Sequence, residues 1–185
     1  MKEYKLPIGC DVPETIILAD GDFPSHPLAL EWLRQCPYVV CCDGAANTYI
    51  RSGRMPEAIV GDGDSLLPDI KERYASLIHS EAEQETNDLS KAFRFCLSQE
   101  RKRITIMGAT GKREDHTIGN VSLLADYMEQ AEVSMMTDYG IFVPIREDSM
   151  FESYIGQQIS VFNMNSTALS AEGLAYPCLL YTSDA

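Results

Sequence analysis

Four short segments, TIILA (15–19), YVVCC (38–42), EAIVG (57–61) and ITIMG (104–108), are apolar almost throughout and end at turn residues. A strand wetted on one face alternates apolar with polar residues, whereas a strand covered on both faces does not. Runs of this kind belong to buried parallel sheets. Between and after them lie helical patterns: PLALEWLRQ (27–35), SLLPDIKERYASLI (65–78), NDLSKAFRFCLSQE (87–100) and HTIGNVSLLADYMEQ (116–130). In the first, Leu28, Trp32 and Gln35 fall three to four apart; in the third, Leu89, Ala92, Phe93 and Cys96 share one stripe. Strand alternating with helix predicts an α/β fold, a three-layer Rossmann-like parallel sheet joined by right-handed crossovers. After about residue 132 short alternating stretches are broken by Tyr-Gly, Glu-Asp and Ile-Gly. They predict a second, smaller all-β domain of antiparallel hairpins, a sandwich or barrel. The domains are expected at 1–135 and 136–185.

Acids follow the apolar runs. Asp20 comes after TIILA, Asp43 after YVVCC, and Asp62 and Asp64 after AIV, while Gly108 and Gly111 follow ITIM. Open α/β sheets bind ligands outside the carboxyl ends of their strands, so this order gathers the acids on one rim. For a single loop, turn preference is the simpler account; it does not explain all of them on one edge. In GDGDS (61–65), Asp62 and Asp64 repel unless something positive lies between them. An EF-hand fails, because its sixth and twelfth positions would be Leu67 and Arg73. ADGDFPSHPLALE (19–31) fails as well, with Pro24 and Ser25 in the fifth and sixth places. Two carboxylates with waters and substrate phosphates suit Mg²⁺. Asp88, in the first turn of a predicted helix, has Lys91 on the same face, a pair that helix-dipole and i,i+3 effects alone explain.

GATGKREDH (108–116) is a glycine-rich strand-to-helix turn backed by Lys112, Arg113, Asp115 and His116. The glycine spacing is two short of a Walker A loop, and Arg follows the Lys. It still lets backbone N–H groups approach an anion, and Arg113 can grip a phosphate bidentately. There is no zinc-ligand spacing and no GxSxG.

The net charge of -13 argues against a nucleic-acid backbone or an anionic membrane as partner. No apolar run approaches the roughly 20 residues that span a bilayer. The first residues lack a signal-peptide core, and the six cysteines (Cys10, Cys36, Cys41, Cys42, Cys96, Cys178) form no CxxC pair. The expected compartment is the reducing cytoplasm.

DGAAN (43–47), GDGDS (61–65), Gln84, Thr86, Asp88 and Lys91 in QETNDLSKA, and GATGKREDH with Asn120 beyond it resemble, in order and spacing, the thiamine pyrophosphokinase family. SAEGLAYP (170–177) is similar to the Tyr-Pro turn of that family's C-terminal thiamin-binding domain. The resemblance implies Mg²⁺-dependent transfer of a diphosphate from ATP to thiamine, with 1–135 as the ATP-binding catalytic unit and 136–185 as the thiamin-binding unit. Asp62, Asp64 and Asp88 would hold the metal, and Lys91 and Arg113 would offset charge on the transferred group. Asp115 would orient Arg113 or take the thiamine proton. Asp43, Asn47, Gln84, Thr86, His116 and Asn120 would bind nucleotide, and Asp43, Gln84 and Ser170 thiamine. A homodimer with thiamine at the subunit contact is expected. A metal-dependent nucleotide hydrolase and a non-catalytic nucleotide- or vitamin-binding module are the alternatives. Three departures stand out: Ala45 replaces a usual glycine, Gly63 replaces a usual aromatic and is expected to loosen its turn, and the chain stops at Ala185, where further strands are expected. The β unit is therefore read as truncated.

Overall fold

The computed structural model describes residues 1–7, 11–81, 85–164 and 170–175. The four apolar runs become β2 (Thr15–Leu18), β3 (Val39–Cys42), β4 (Ala58–Gly61) and β6 (Arg103–Met107). They pair in parallel within one seven-stranded sheet of order β5-β4-β3-β2-β6-β7-β8. Every residue of β2, β3 and β4 is buried, as a sheet covered on both faces requires.

Alternate residues of the strands feed two cores. Ile16, Leu18, Val39, Cys41 and Ile59 pack with Ala29, Trp32 and Leu33 of α1 (Pro27–Gln35), Ala46 and Tyr49 of α2 (Ala45–Arg51), and Ile70 of α3 (Pro68–Arg73). Ile17, Val40, Cys42, Val60 and Ile106 face Leu89, Phe93 and Cys96 of α4 (Asp88–Ser98), and Leu124 and Tyr127 of α5 (Glu114–Tyr127). Phe93 and Tyr127 stack with ring centroids 3.9 Å apart. The predicted three-layer α/β unit is present.

Four elements differ from expectation. The segment 65–78 does not form one helix: α3 ends at Arg73, and after a 3-10 turn (Ala75–Leu77) the chain enters edge strand β5 (Ile78–Ser80), parallel to β4. Helix α2 starts two residues after Asp43, where the sequence pattern predicts no helix. EVSMM does not open an antiparallel unit: β7 (Glu132–Met136) adds in parallel to β6, and β8 (Ile141–Phe142) turns back against it. Its alternation reflects one face half covered near the sheet edge, where Val133, Met135 and Met136 are buried. The other strand pair of the described residues joins β1 (Lys2–Tyr4) to β9 (Ser149–Phe151), and it is parallel. Tyr4 stacks on Phe151 there, centroids 4.6 Å apart.

Candidate active site

The strand order reverses between β2 and β6, and loops from the carboxyl ends of the parallel strands meet along that edge. After β3, Asp43 takes a φ of 27°, a left-handed value uncommon for a residue with a side chain. Its carboxylate is buried. One oxygen accepts from the Ser65 N–H at 3.0 Å, and the other is buried without a partner. Burial pushes the Asp43 carboxyl above the usual range, helped by the charges of Asp88 and Asp62 and opposed by the Ser65 bond. Asn47, one turn on, spends both ends of its amide on the neighbouring loop: Nδ2 donates to the Ser65 carbonyl at 2.8 Å, and Oδ1 accepts from Leu67 at 3.0 Å.

That loop is GDGDS. A Cβ on Gly61 would lie 2.8 Å from Asp43 Cβ and 3.4 Å from Asp88 Cγ, so the backbone passes between the two acids where no side chain fits. Asp62 accepts from the Asp64 N–H at 3.0 Å, and Lys71 of α3 donates to the Gly63 carbonyl at 2.9 Å. Gly63 sits at φ 78°, a conformation that glycine adopts without strain. The turn is not loosened by Gly63; hydrogen bonds from both sides hold it. Asp62 and Asp64 themselves are exposed.

Asn87 caps α4 by accepting from the Ser90 N–H at 2.9 Å, which puts Asp88 in the first turn. Asp88 accepts from the ammonium of buried Lys91 at 3.0 Å. Thr86 accepts from Arg94 at 3.1 Å. Gln84 lies outside the described residues, and Ser170 is exposed. Among the described residues, no three His, Cys, Asp or Glu side chains are arranged to hold a metal together. Asp62, Asp64 and Asp88 are thus not a ready-made cage. Mg²⁺ does not require one, since it keeps waters and binds one or two carboxylates plus substrate phosphates. The unpartnered Asp43 oxygen and the crowded charges around it are what a divalent cation would relieve, so the residues fit that ion.

Across the crevice, Gly108, Gly111 and Lys112 have φ of 65°, 77° and 58° in the turn between β6 and α5. Arg113 and Asp115 form a two-point ion pair, Nε to Oδ1 at 3.1 Å and Nη2 to Oδ2. The Arg113 hydrogen bond holds Asp115 below the usual carboxylate range, which suits an orienting group better than a base. His116 is exposed in the first turn of α5. Asn120 is buried: it donates to the Ala109 carbonyl at 2.8 Å and accepts from Asn87 at 3.1 Å. Asn47 and Asn120 therefore shape the loops, their amides already engaged.

Three further residues of the rim, Lys71, Asp22 and Asp138, belong to no motif legible in the sequence. Asp138, after β7, accepts from the N–H groups of Ser25 and His26 at 2.9 Å and from the Ser25 hydroxyl, which lowers its pKa. No local signal marks Asp22 or Asp138, whose partners Thr110 and Ser25 are distant in sequence, while Lys71 meets the Gly63 carbonyl across the turn. A cavity of about 390 Å³ opens beside the rim between the α4 start and α5, lined by Thr86, Asn87, Ser90, Ser122 and Asp126. A smaller one of about 80 Å³ lies at the strand-order reversal, against Asp22, Gly108, Thr110 and Asp138.

Fold and rim together define an open α/β protein whose ligand-facing loops stand at the carboxyl ends of parallel strands. Residues 29–136 match the family model for the thiamin pyrophosphokinase catalytic domain, and residues 140–183 that for its substrate-binding domain. The chain belongs to the thiamin pyrophosphokinase family. Thiamine pyrophosphokinase 1 of Oryza sativa subsp. japonica is 30% identical over 129 residues, 56% of this chain and 49% of the relative. Thiamine pyrophosphokinase of Bacillus subtilis is 34% identical over 86 residues, 44% of this chain and 40% of that one. Among solved structures, thiamin pyrophosphokinase of Geobacillus thermodenitrificans superposes with a TM-score of 0.54 at 27% identity, covering 66% of this chain and 58% of that one. The yeast enzyme, at 19% identity, shares the fold with a TM-score of 0.58 over 74% of this chain and 63% of its own. The chain spans about half the length of the curated relatives it matches, or less.

Proposed function

We propose that this chain transfers a diphosphate group from ATP to the hydroxyl of thiamine, giving thiamine diphosphate and AMP. The hydroxyl oxygen attacks the β-phosphorus in line, the α–β bridging bond breaks, AMP leaves and the hydroxyl proton is lost. The observation that carries this reading is the convergence of Asp43, Asp62 and Asp88 beside Gly61, where the backbone leaves no room for a side chain. Asp62, Asp64 and Asp88 would hold Mg²⁺, which would neutralise charge on the phosphates. Lys91, fixed by Asp88, and Arg113, fixed by Asp115, are cations placed to offset charge on the transferred group. Asp43, Gln84, Thr86 and His116 contact nucleotide or thiamine directly. Asn47 and Asn120 serve the same site by holding its loops, and Ser170 belongs to the thiamine side.

Residues 1–135 act as the ATP unit and 136–185 as the thiamine unit. The exposed Ile155, Ile159, Phe162 and Met164 are apolar surface that a second subunit would cover. A homodimer with thiamine at that contact follows. The cytoplasm is the proposed compartment: the described Cys36, Cys41, Cys42 and Cys96 are all free thiols. No helix among the described residues is long and apolar enough to cross a membrane. The test is an assay of the chain with Mg·ATP and thiamine, following AMP and thiamine diphosphate together. Equal formation of both is the expected result. AMP without thiamine diphosphate would favour a hydrolase, and binding without either product a non-catalytic module.

A further inference from the structure

We propose that Lys112 contacts the diphosphate portion of the nucleotide, and that Asp20 is the positioning residue that holds Lys112 over the crevice. The inference rests on the nucleotide reading above. Asp20 follows β2 and Lys112 follows β6, the two neighbouring strands between which the strand order reverses. The Lys112 ammonium spans that crevice, donating to the Asp20 carbonyl at 2.9 Å and to its carboxylate at 3.0 Å. The carboxylate is wedged from the other side, its Oδ2 only 2.6 Å from where a Cβ on Gly44 would stand. Asp20 thus sits between the start of the acid-bearing β3–α2 loop and the cation of the glycine-rich β6–α5 loop.

The backbone beneath is rigid. Gly21 N–H donates to the Gly108 carbonyl at 2.6 Å, and Asp22 N–H to the Thr110 carbonyl at 2.8 Å. A side chain at Gly21 would run into both carbonyls. Lys112 itself is held at φ 58°, a left-handed conformation that is strained for an L-residue and persists where surrounding structure imposes it. An ion pair this exposed, 54% for Lys112 and 47% for Asp20, contributes little to stability, so stability does not explain the arrangement. Exposure also leaves the ammonium within reach of a ligand.

Electrostatics supplies the reason for a cation here. Asp20, Asp22, Asp43, Asp62, Asp64 and Asp88 make the rim strongly negative, and a nucleoside triphosphate is itself a polyanion. Arg113 turns to Asp115 on its own helix, whereas Lys112 reaches across to the opposite loop. A compact ammonium on a flexible stem can follow successive phosphate oxygens without the fixed fork of an arginine.

The test is calorimetric titration of the full chain and of Lys112→Met, Lys112→Arg, Asp20→Asn and the Lys112→Met/Asp20→Asn pair. The probes are Mg·ATP, AMP and inorganic diphosphate with Mg²⁺, and circular dichroism checks that each variant is folded. Lys112→Met is expected to weaken ATP and diphosphate binding about tenfold, the loss of one charge-assisted contact, while AMP affinity stays within about twofold. Lys112→Arg should recover ATP affinity to within about threefold, because the charge is kept. Asp20→Asn should weaken ATP binding about threefold alone and have no further effect in the Lys112→Met background, the signature of action through Lys112. Unchanged ATP affinity in Lys112→Met, or additive effects in the pair, overturns the inference while leaving the proposed function standing. Lys112-dependent binding of diphosphate without any binding of ATP would support the anion contact and overturn the nucleotide reading. If neither probe binds the unaltered chain, both fall.

Discussion

Asp43 and Gly61 show the cost of this rim at the scale of single residues. A carboxyl whose folded pKa is raised makes the protein most stable where the group is protonated in both states, below the unfolded value, and loses that stability as pH rises through the folded value. At neutral pH the ionised Asp43 is therefore a burden. Asp43→Asn keeps the shape and can still accept from Ser65, so it should raise Tm at pH 7 by roughly 3 °C. The gain should vanish on acidification to below the ordinary carboxylate range, while activity at pH 7 collapses. Calorimetric melts of both proteins across pH, beside turnover, check this; an unaltered gap at low pH would refute the sign. Gly61→Val should act oppositely. Its Cβ would press on Asp43 at 2.8 Å, and strain of this kind costs typically 1–3 kcal/mol. Urea titration would read that loss, and an unchanged midpoint would show that Asp43 yields freely.

Helices α4 and α5 bring their starts together through Asn120, and this tie belongs to the scale of elements. The buried amide links the Ala109 carbonyl, at the root of the glycine-rich turn, to Asn87, which caps α4 ahead of Asp88 and Lys91. Asn120→Ala removes both bonds and leaves buried polar groups unpaired, a cost of about 1–3 kcal/mol. The expected result is a lower Tm together with a raised KM for ATP, because both loops lose their mutual reference. Asn120→Asp, which can still accept from Asn87 but turns a carboxylate oxygen on the Ala109 carbonyl, should lower Tm at least as far. Steady-state kinetics beside calorimetry decides: a stability loss with no change in KM would make Asn120 a packing residue only.

For the whole molecule, the short β1–β9 pair is a separate tie from the main sheet. Strand β1 holds Ser149–Phe151 by a parallel register and by the Tyr4–Phe151 stack, and no residue of either strand belongs to a core cluster. Stacked aromatic pairs contribute about 0.5–1.5 kcal/mol beyond their burial. Tyr4→Ala should therefore release the amides of 149–151 to hydrogen exchange, with the protection of β2, β3, β4 and β6 unchanged. Loss of protection in those central strands would show that the pair and the sheet unfold as one unit.

By itself the sequence determined the strands covered on both faces, since an unbroken Val/Ile/Cys run can only be buried on both sides, and with them the three-layer architecture and the rim of acids. It determined α4 and α5 to within a turn at each end, α4 through the stripe of Leu89, Ala92, Phe93 and Cys96. The family motifs were legible because they are contiguous. Edge elements were not: Ile78–Ser80 and Glu132–Met136 take their state from strand partners rather than from their own pattern, so a helical tail became β5 and an apparent hairpin strand became the parallel β7. Tertiary structure alone decided which side chains were already spent. Asn47 and Asn120 read as nucleotide ligands until their partners, Ser65, Leu67, Ala109 and Asn87, appeared beside them, and of the two roles expected for Asp115 the pairing with Arg113 is the one in place. It alone placed Asp20 against Lys112, 92 residues away. Local pattern records what a residue prefers; hydrogen-bond partners across a sheet edge are set by strand order, which no single segment encodes.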